Sequence, residues 1–146
     1  MRSLLKSNAT LALGSLALLS LFVDASAEPK DEVVAATSTW ARALDEDDAV
    51  LWGTLSPTVR SDRSTLRDYF VAAFKVLPGL KVAFGDQLIR VYDCGTAVNT
   101  GYYTFSYVKD GEAKSLPARY SFTYVKRGDA WLIVDHHSSA LPSVAK

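Results

Sequence analysis

The chain has 146 residues, 49% of them hydrophobic, with 16 basic and 16 acidic side chains, two histidines and one cysteine. That length suits one domain. The balanced charge, without any basic block, argues against a nucleic-acid partner, and the lone Cys94 cannot close an internal disulfide.

Residues 1–27 are predicted to be a secretory signal peptide. Arg2 and Lys6 form a positive start, residues 11–23 are apolar apart from Gly14, Ser15 and Ser20, and Ala25-Ser26-Ala27 offers a small-x-small cleavage pattern before Glu28. The apolar run is shorter than the roughly 20 residues that a membrane span needs. No arginine pair precedes it, which favours the general secretory route over the twin-arginine one. The mature domain, residues 28–146, is therefore expected to be periplasmic or secreted, with no membrane contact after cleavage. Loss of Arg2, Lys6 and Asp24 leaves it 14 basic and 15 acidic side chains.

A helix is predicted over residues 28–53. Pro29 suits a first turn, Asp31 and Glu32 favour the helix dipole, and Val33, Ala36, Trp40, Ala43, Leu44 and Leu51 recur at helical spacing. Four successive acids, Asp45 to Asp48, point all round such a helix and read as a solvated face or a break rather than a cation site. A second helix is predicted over residues 64–77, with Ser64 as N-cap, Tyr69, Phe70 and Ala73 on its apolar side, and Pro78-Gly79 ending it.

From Leu80 the period becomes two. Strands are predicted over residues 81–92, 96–109, 115–126 and 130–138, joined by Asp93-Cys94-Gly95, Asp110-Gly111 and Arg127-Gly128-Asp129. Gly85-Asp86 marks a bulge or a split. Cys94 lies at a turn with no neighbour to lower its pKa, so it reads as a buried small hydrophobe or an intermolecular pairing site and not as a catalytic thiol. Helices first and an antiparallel meander second make an α+β domain.

Alternation places Leu116, Ala118, Tyr120, Phe122 and Tyr124 on one side of the third strand. In the last strand it sets Leu132, Val134 and His136 against Trp131, Ile133, Asp135 and His137. Neither side is simply polar, which suggests helices on one face and another subunit on the other. His136 and His137 diverge, so they do not share a metal, and neither a metal nor another cofactor is expected. Asp135 and His137 share a face, where the carboxylate can orient the imidazole, and Arg119 on the neighbouring strand can join them. The aromatic series that includes Tyr102, Tyr103, Tyr120 and Phe122 can build both a core and a partly polar cavity.

Trp40-Ala41-Arg42-Ala43-Leu44 followed by acids, Gly101-Tyr102-Tyr103-Thr104-Phe105, Ala118 to Tyr124, and the run from Trp131 to Pro142 together resemble the nuclear-transport-factor-2-like (NTF2-like, SnoaL-like) superfamily. The branch most similar is that of bacterial relatives of the calcium/calmodulin-dependent protein kinase II association domain. Trp131, Ile133, Val134, His137, Ser139, Pro142 and Ser143 fall at that family's spacing, as does Arg119, twelve residues before Trp131. The resemblance implies a cone-shaped fold in which a strongly bent sheet and helices enclose a pocket, with dimers formed through the sheet and sometimes larger rings. The kinase hub lines its cavity with arginines, including one nine residues before this Trp and one seven after it. Phe122 and Ser138 stand there here, so the hub's preference for small carboxylates is not implied. No calmodulin partner is expected, because no kinase segment precedes the domain and an exported protein would not meet calmodulin.

The reading is of an exported homo-oligomer that binds a small, partly apolar molecule through Arg119, His137, Asp135, Tyr103 and Trp40, without chemistry. The alternatives are a lyase or isomerase of SnoaL-like type and a purely structural, hub-like assembly domain. In the enzyme, His137 would be general base and Asp135 its orienter, with Arg119 or Tyr103 stabilising an enolate-like charge.

Overall fold

The computed structural model describes residues 28–45 and 47–142. The signal segment expected over residues 1–27, Glu46 of the acidic run and Ser143 lie outside the described residues. Among the described residues, three helices precede or interrupt a five-stranded sheet: α1 (Pro29–Ser38), α2 (Trp40–Ala43), β1 (Val50–Trp52), α3 (Arg63–Val76), β2 (Lys81–Val91), β3 (Thr96–Lys109), β4 (Glu112–Arg127) and β5 (Ala130–Ala140). The strand order is β1-β5-β4-β3-β2. β2 to β5 form the expected antiparallel meander, and β1 lies parallel to β5. The fold class is α+β, as read from the sequence.

The single helix expected over residues 28–53 is replaced by two short helices, an acidic turn and β1. Three successive hydroxyl residues cause the first break, because each offers the backbone a competing partner. Thr37 Oγ1 donates to the Val33 carbonyl at 2.8 Å and Ser38 Oγ to that of Ala35 at 2.7 Å. Thr39, at φ −118° and ψ 31°, leaves the helix. The acidic turn is tied to its surroundings by arginines. Arg127 bridges Asp45 at 3.0 Å and Asp48 at 2.6 Å, and Arg63 holds Asp47 at 2.5 Å. The Asp45 amide donates to the Ile133 carbonyl at 2.9 Å, which brings the chain alongside β5 just before β1 begins.

α3 is capped by Asp62 and not by Ser64: its carboxylate accepts from the Thr65 amide at 2.9 Å and the Thr65 hydroxyl at 2.8 Å. Tight turns close the hairpins, with Asp110 and Gly111 at φ 54° and 77° between β3 and β4, and Gly128 at φ 62° between β4 and β5. β4 starts earlier than expected, because the two-residue turn lets Glu112 pair directly with Lys109. Gly85-Asp86 is a bulge within one continuous strand. Gly101 faces that bulge, and a Cβ there would lie 2.3 Å from the Asp86 carbonyl oxygen. Cys94 is exposed, which removes the buried-hydrophobe reading.

The core lies between the helices and one face of the sheet. Leu51, Phe122, Tyr124 and Ile133 are fully enclosed, each contributing about 1.5–3 kcal/mol by burial, as far as area bookkeeping goes. Thr37, Asn99 and the Tyr124 hydroxyl, trapped with them, are paired. Thr37 Oγ1 meets the Tyr124 hydroxyl at 2.7 Å, and Asn99 Nδ2 donates to Thr37 Oγ1 and Gln87 Oε1 at 2.8 Å each. Glu32 fastens α1 to the far hairpin by accepting from Trp131 Nε1 at 2.6 Å and Lys126 Nζ at 2.7 Å.

Candidate functional site

The inner face of β5 is set by one unpaired residue. Thr123 pairs with Asp135 and Tyr124 with Ile133, so Val134 has no partner on β4. Such a bulge shifts the alternation by one residue. Trp131 and Ile133 face inward before it, and His136 and Ser138 face inward after it. Asp135 and His137, expected on the side of Trp131 and Ile133, instead lie on the outer face, where both are exposed. The expected grouping of His136 with Leu132 and Val134 is corrected for the same reason.

The inward shift brings His136 and Ser138 to a cavity of about 300 Å³ between α3, the loop after β1 and the sheet. Trp40 opens α2 at its edge, Tyr69 and Phe70 descend from α3, and Tyr103, Phe105 and Leu116 rise from β3 and β4. The Trp40 ring meets the rings of Phe70 and His136 edge-on or tilted, with centroids 5.4 Å apart in each pair. Phe122 closes the other side of His136 at 4.6 Å. The loop after β1 is held by reciprocal bonds between Leu51 and Arg60, at 2.8 and 2.9 Å. Gly53 lets Tyr69 lie flush on this loop, since a Cβ would sit 2.3 Å from the tyrosine ring.

One end of the cavity is polar. The Tyr103 hydroxyl donates to Ser138 Oγ at 2.5 Å and lies 3.4 Å from His136 Nε2, while Ser138 Oγ is also joined to Thr54 Oγ1. Burial pushes the Tyr103 hydroxyl up to about 12 and His136 down to about 3, the neighbouring His137 adding to the latter. His136 is therefore neutral at ordinary pH. Its Nδ1 atom is buried without a hydrogen-bond partner. Arg60 is the one charged side chain among the described residues of the lining; it is half-buried, bonds Thr58 Oγ1, and lies 5.9 Å from the Tyr69 ring centre.

Of the residues singled out in the sequence, Trp40 and Tyr103 line this cavity, whereas Arg119, Asp135 and His137 do not. Arg119 is exposed on the outer face, donates from Nε to Ser139 Oγ at 3.0 Å, and borders a shallow depression with Asp86, Leu88, Thr100 and Tyr102. Burial raises the Asp135 carboxyl above its usual range, while the charge of His137 pulls it back. The sequence reading missed Thr54, His136 and Ser138 as cavity residues. One signal was available: strict alternation would have buried Asp135 beside Trp131 and Ile133, at a desolvation cost that a shifted register avoids.

Helices packed on a five-stranded, mostly antiparallel sheet over a cavity define the class, an NTF2-like α+β domain. The chain belongs to the calcium/calmodulin dependent protein kinase II association domain family, whose profile matches residues 29–142. It is similar to a solved Xanthomonas campestris protein given the same association-domain name, with 34% identity and a TM-score of 0.72 over 83% of this chain and 93% of that one. A Streptomyces avermitilis protein of the NTF2-like family, provisionally named a dehydratase, has 13% identity and a TM-score of 0.65 over 78% of this chain and 96% of that one. The kinase hub of S. rosetta has 16% identity and a TM-score of 0.62 over 80% and 99%. The last two likenesses speak for the fold alone. Comparison with curated proteins finds no match.

Proposed function

We propose that this protein is an exported, self-associating domain that binds a small, partly apolar molecule in its cavity and performs no chemistry on it. The observation that carries the reading is the cavity itself: aromatic and aliphatic walls, with a few convergent hydroxyl groups at one end. The lyase or isomerase alternative needs a general base beside the ligand. Asp135 and His137 lie on the opposite face of the sheet, and His136, held neutral down to about pH 3, is too weak a base for that work.

Self-association is read from the outer face. Trp52 beside His137, then Leu88 and Tyr102, expose large apolar surface there, and the solved relatives include association and hub domains. Export rests on the character of residues 1–27 alone. Native mass spectrometry of the protein purified after expression of the full sequence tests the three parts together. The reading expects the cleaved mass, an even-numbered assembly and a small retained adduct or uptake of an added apolar molecule. A strict monomer retaining residues 1–27 would contradict it.

A further inference from the structure

We propose that the cavity takes an uncharged ligand of about two fused rings, oriented with one hydroxyl or carbonyl group inward against Thr54, Tyr103 and Ser138. This inference rests on the binding reading above and adds the ligand's charge, size and direction. Its apolar body lies beneath α3 and leaves toward Leu55, Phe74 and Val76.

Direction follows from a gradient of burial. The polar groups are at the closed end, with Tyr103 2% and Ser138 5% exposed, whereas the apolar lining residues Leu55, Phe74 and Val76 are 69%, 53% and 65% exposed. A ligand with its polar head at the mouth would set that head among apolar side chains and leave the hydroxyl groups facing hydrocarbon. The reversed placement satisfies both ends.

Charge follows from what lines the closed end. Thr54, Tyr103 and Ser138 are hydroxyl groups, able to donate and accept, and His136 beside them is neutral because it is buried. None of them compensates a buried carboxylate, whose desolvation costs several kcal/mol. The Arg60 guanidinium stays half-buried over Tyr69 and is engaged by Thr58. Size follows from volume: a cavity of roughly 150 Å³ accepts a benzene ring, so about 300 Å³ accepts two.

The test is isothermal calorimetry of the chain from residue 28 with tetralol, tetralone and tetralin carboxylate at neutral pH. The alcohol or the ketone is expected to bind at least about tenfold more tightly than the carboxylate, which is about 1.4 kcal/mol. A carboxylate that binds as tightly as the neutral probes would overturn the inference and leave the binding reading standing. Absence of heat with all three at both 15 and 35 °C, roughly bracketing any temperature of zero enthalpy, would overturn both. Direction is read from two derivatives of the alcohol: a butyl group on the ring far from the hydroxyl should be tolerated, and a butyl ether at the hydroxyl should abolish binding. The opposite pattern would overturn the inward orientation. Thr54→Val, a change on a half-buried loop, should weaken the alcohol about threefold or more and leave any carboxylate binding unchanged. Equal weakening of both would count against the hydroxyl contact.

Discussion

Ile133 and His136 lie three residues apart on β5 and still share its inner face, because Val134 between them has no partner on β4. An odd spacing on a regular strand would put them on opposite sides. This bulge brings His136 and Ser138 to the cavity and sends Asp135 and His137 outward, so it decides which polar groups a ligand meets.

Acid stability should report His136. Burial lowers its pKa from 6.5 to about 3, so the unfolded chain takes up a proton that the folded chain refuses. The resulting stability is fully present above pH 6.5 and is lost progressively as pH falls toward 3. Urea unfolding should lose about 1.4 kcal/mol per pH unit between about pH 6 and 4.5, before Glu32, Asp62 and Asp93, whose carboxyls are held low by hydrogen bonds, begin to protonate. His136→Leu should flatten that slope.

The contact of Tyr69 with Gly53 should be intolerant of added bulk. Gly53→Ala puts a methyl group into the tyrosine ring and should cost about 1–3 kcal/mol by thermal or urea unfolding. Combined with Tyr69→Ala, the same change should cost far less than the sum of the two, which a double-mutant cycle measures directly.

Thr37 should matter beyond its size. Thr37→Val keeps the shape and removes the oxygen that meets both Tyr124 and Asn99, leaving buried groups without their partner. Destabilisation of about 1–3 kcal/mol is expected. Tyr124→Phe in the same chain should cost less than additively.

Much of this fold was legible. The hairpin turns at Asp110-Gly111 and Gly128-Asp129 and the inward row from Leu116 to Tyr124 follow directly from turn chemistry and period two. The break at Thr39 was less visible, since helical spacing of Val33, Ala36 and Trp40 continues through it while side-chain hydroxyl groups claim the backbone. β1 is three residues long, too short for alternation to declare itself. In the site, Trp40 and Tyr103 could be read from the chain. His136 and Ser138 were harder to place, because no glycine or proline marks the bulge at Val134; the one hint is that strict alternation would bury Asp135, and the pairing with β4 locates the shift.

The outer face should carry self-association. Trp52→Glu places a charge beside His137 on that face without touching the core, since Trp52 is 42% exposed. Sedimentation equilibrium should show Kd raised roughly thirtyfold or more, corresponding to about 2 kcal/mol for a buried aromatic anchor, with an unchanged unfolding transition in the dissociated chain. An unaltered assembly would place the interface elsewhere.

The ligand enters the inner cavity and does not meet the outer Asp135–His137 pair, a distinction that amide chemical-shift mapping reads directly. Titration with tetralol should move the amides of Thr54, Tyr69, Phe70, Tyr103 and Ser138, and Asp135→Asn with His137→Gln should leave the affinity unchanged. Shifts gathered at Arg119, Asp135 and His137, and lost in that double variant, would contradict the account.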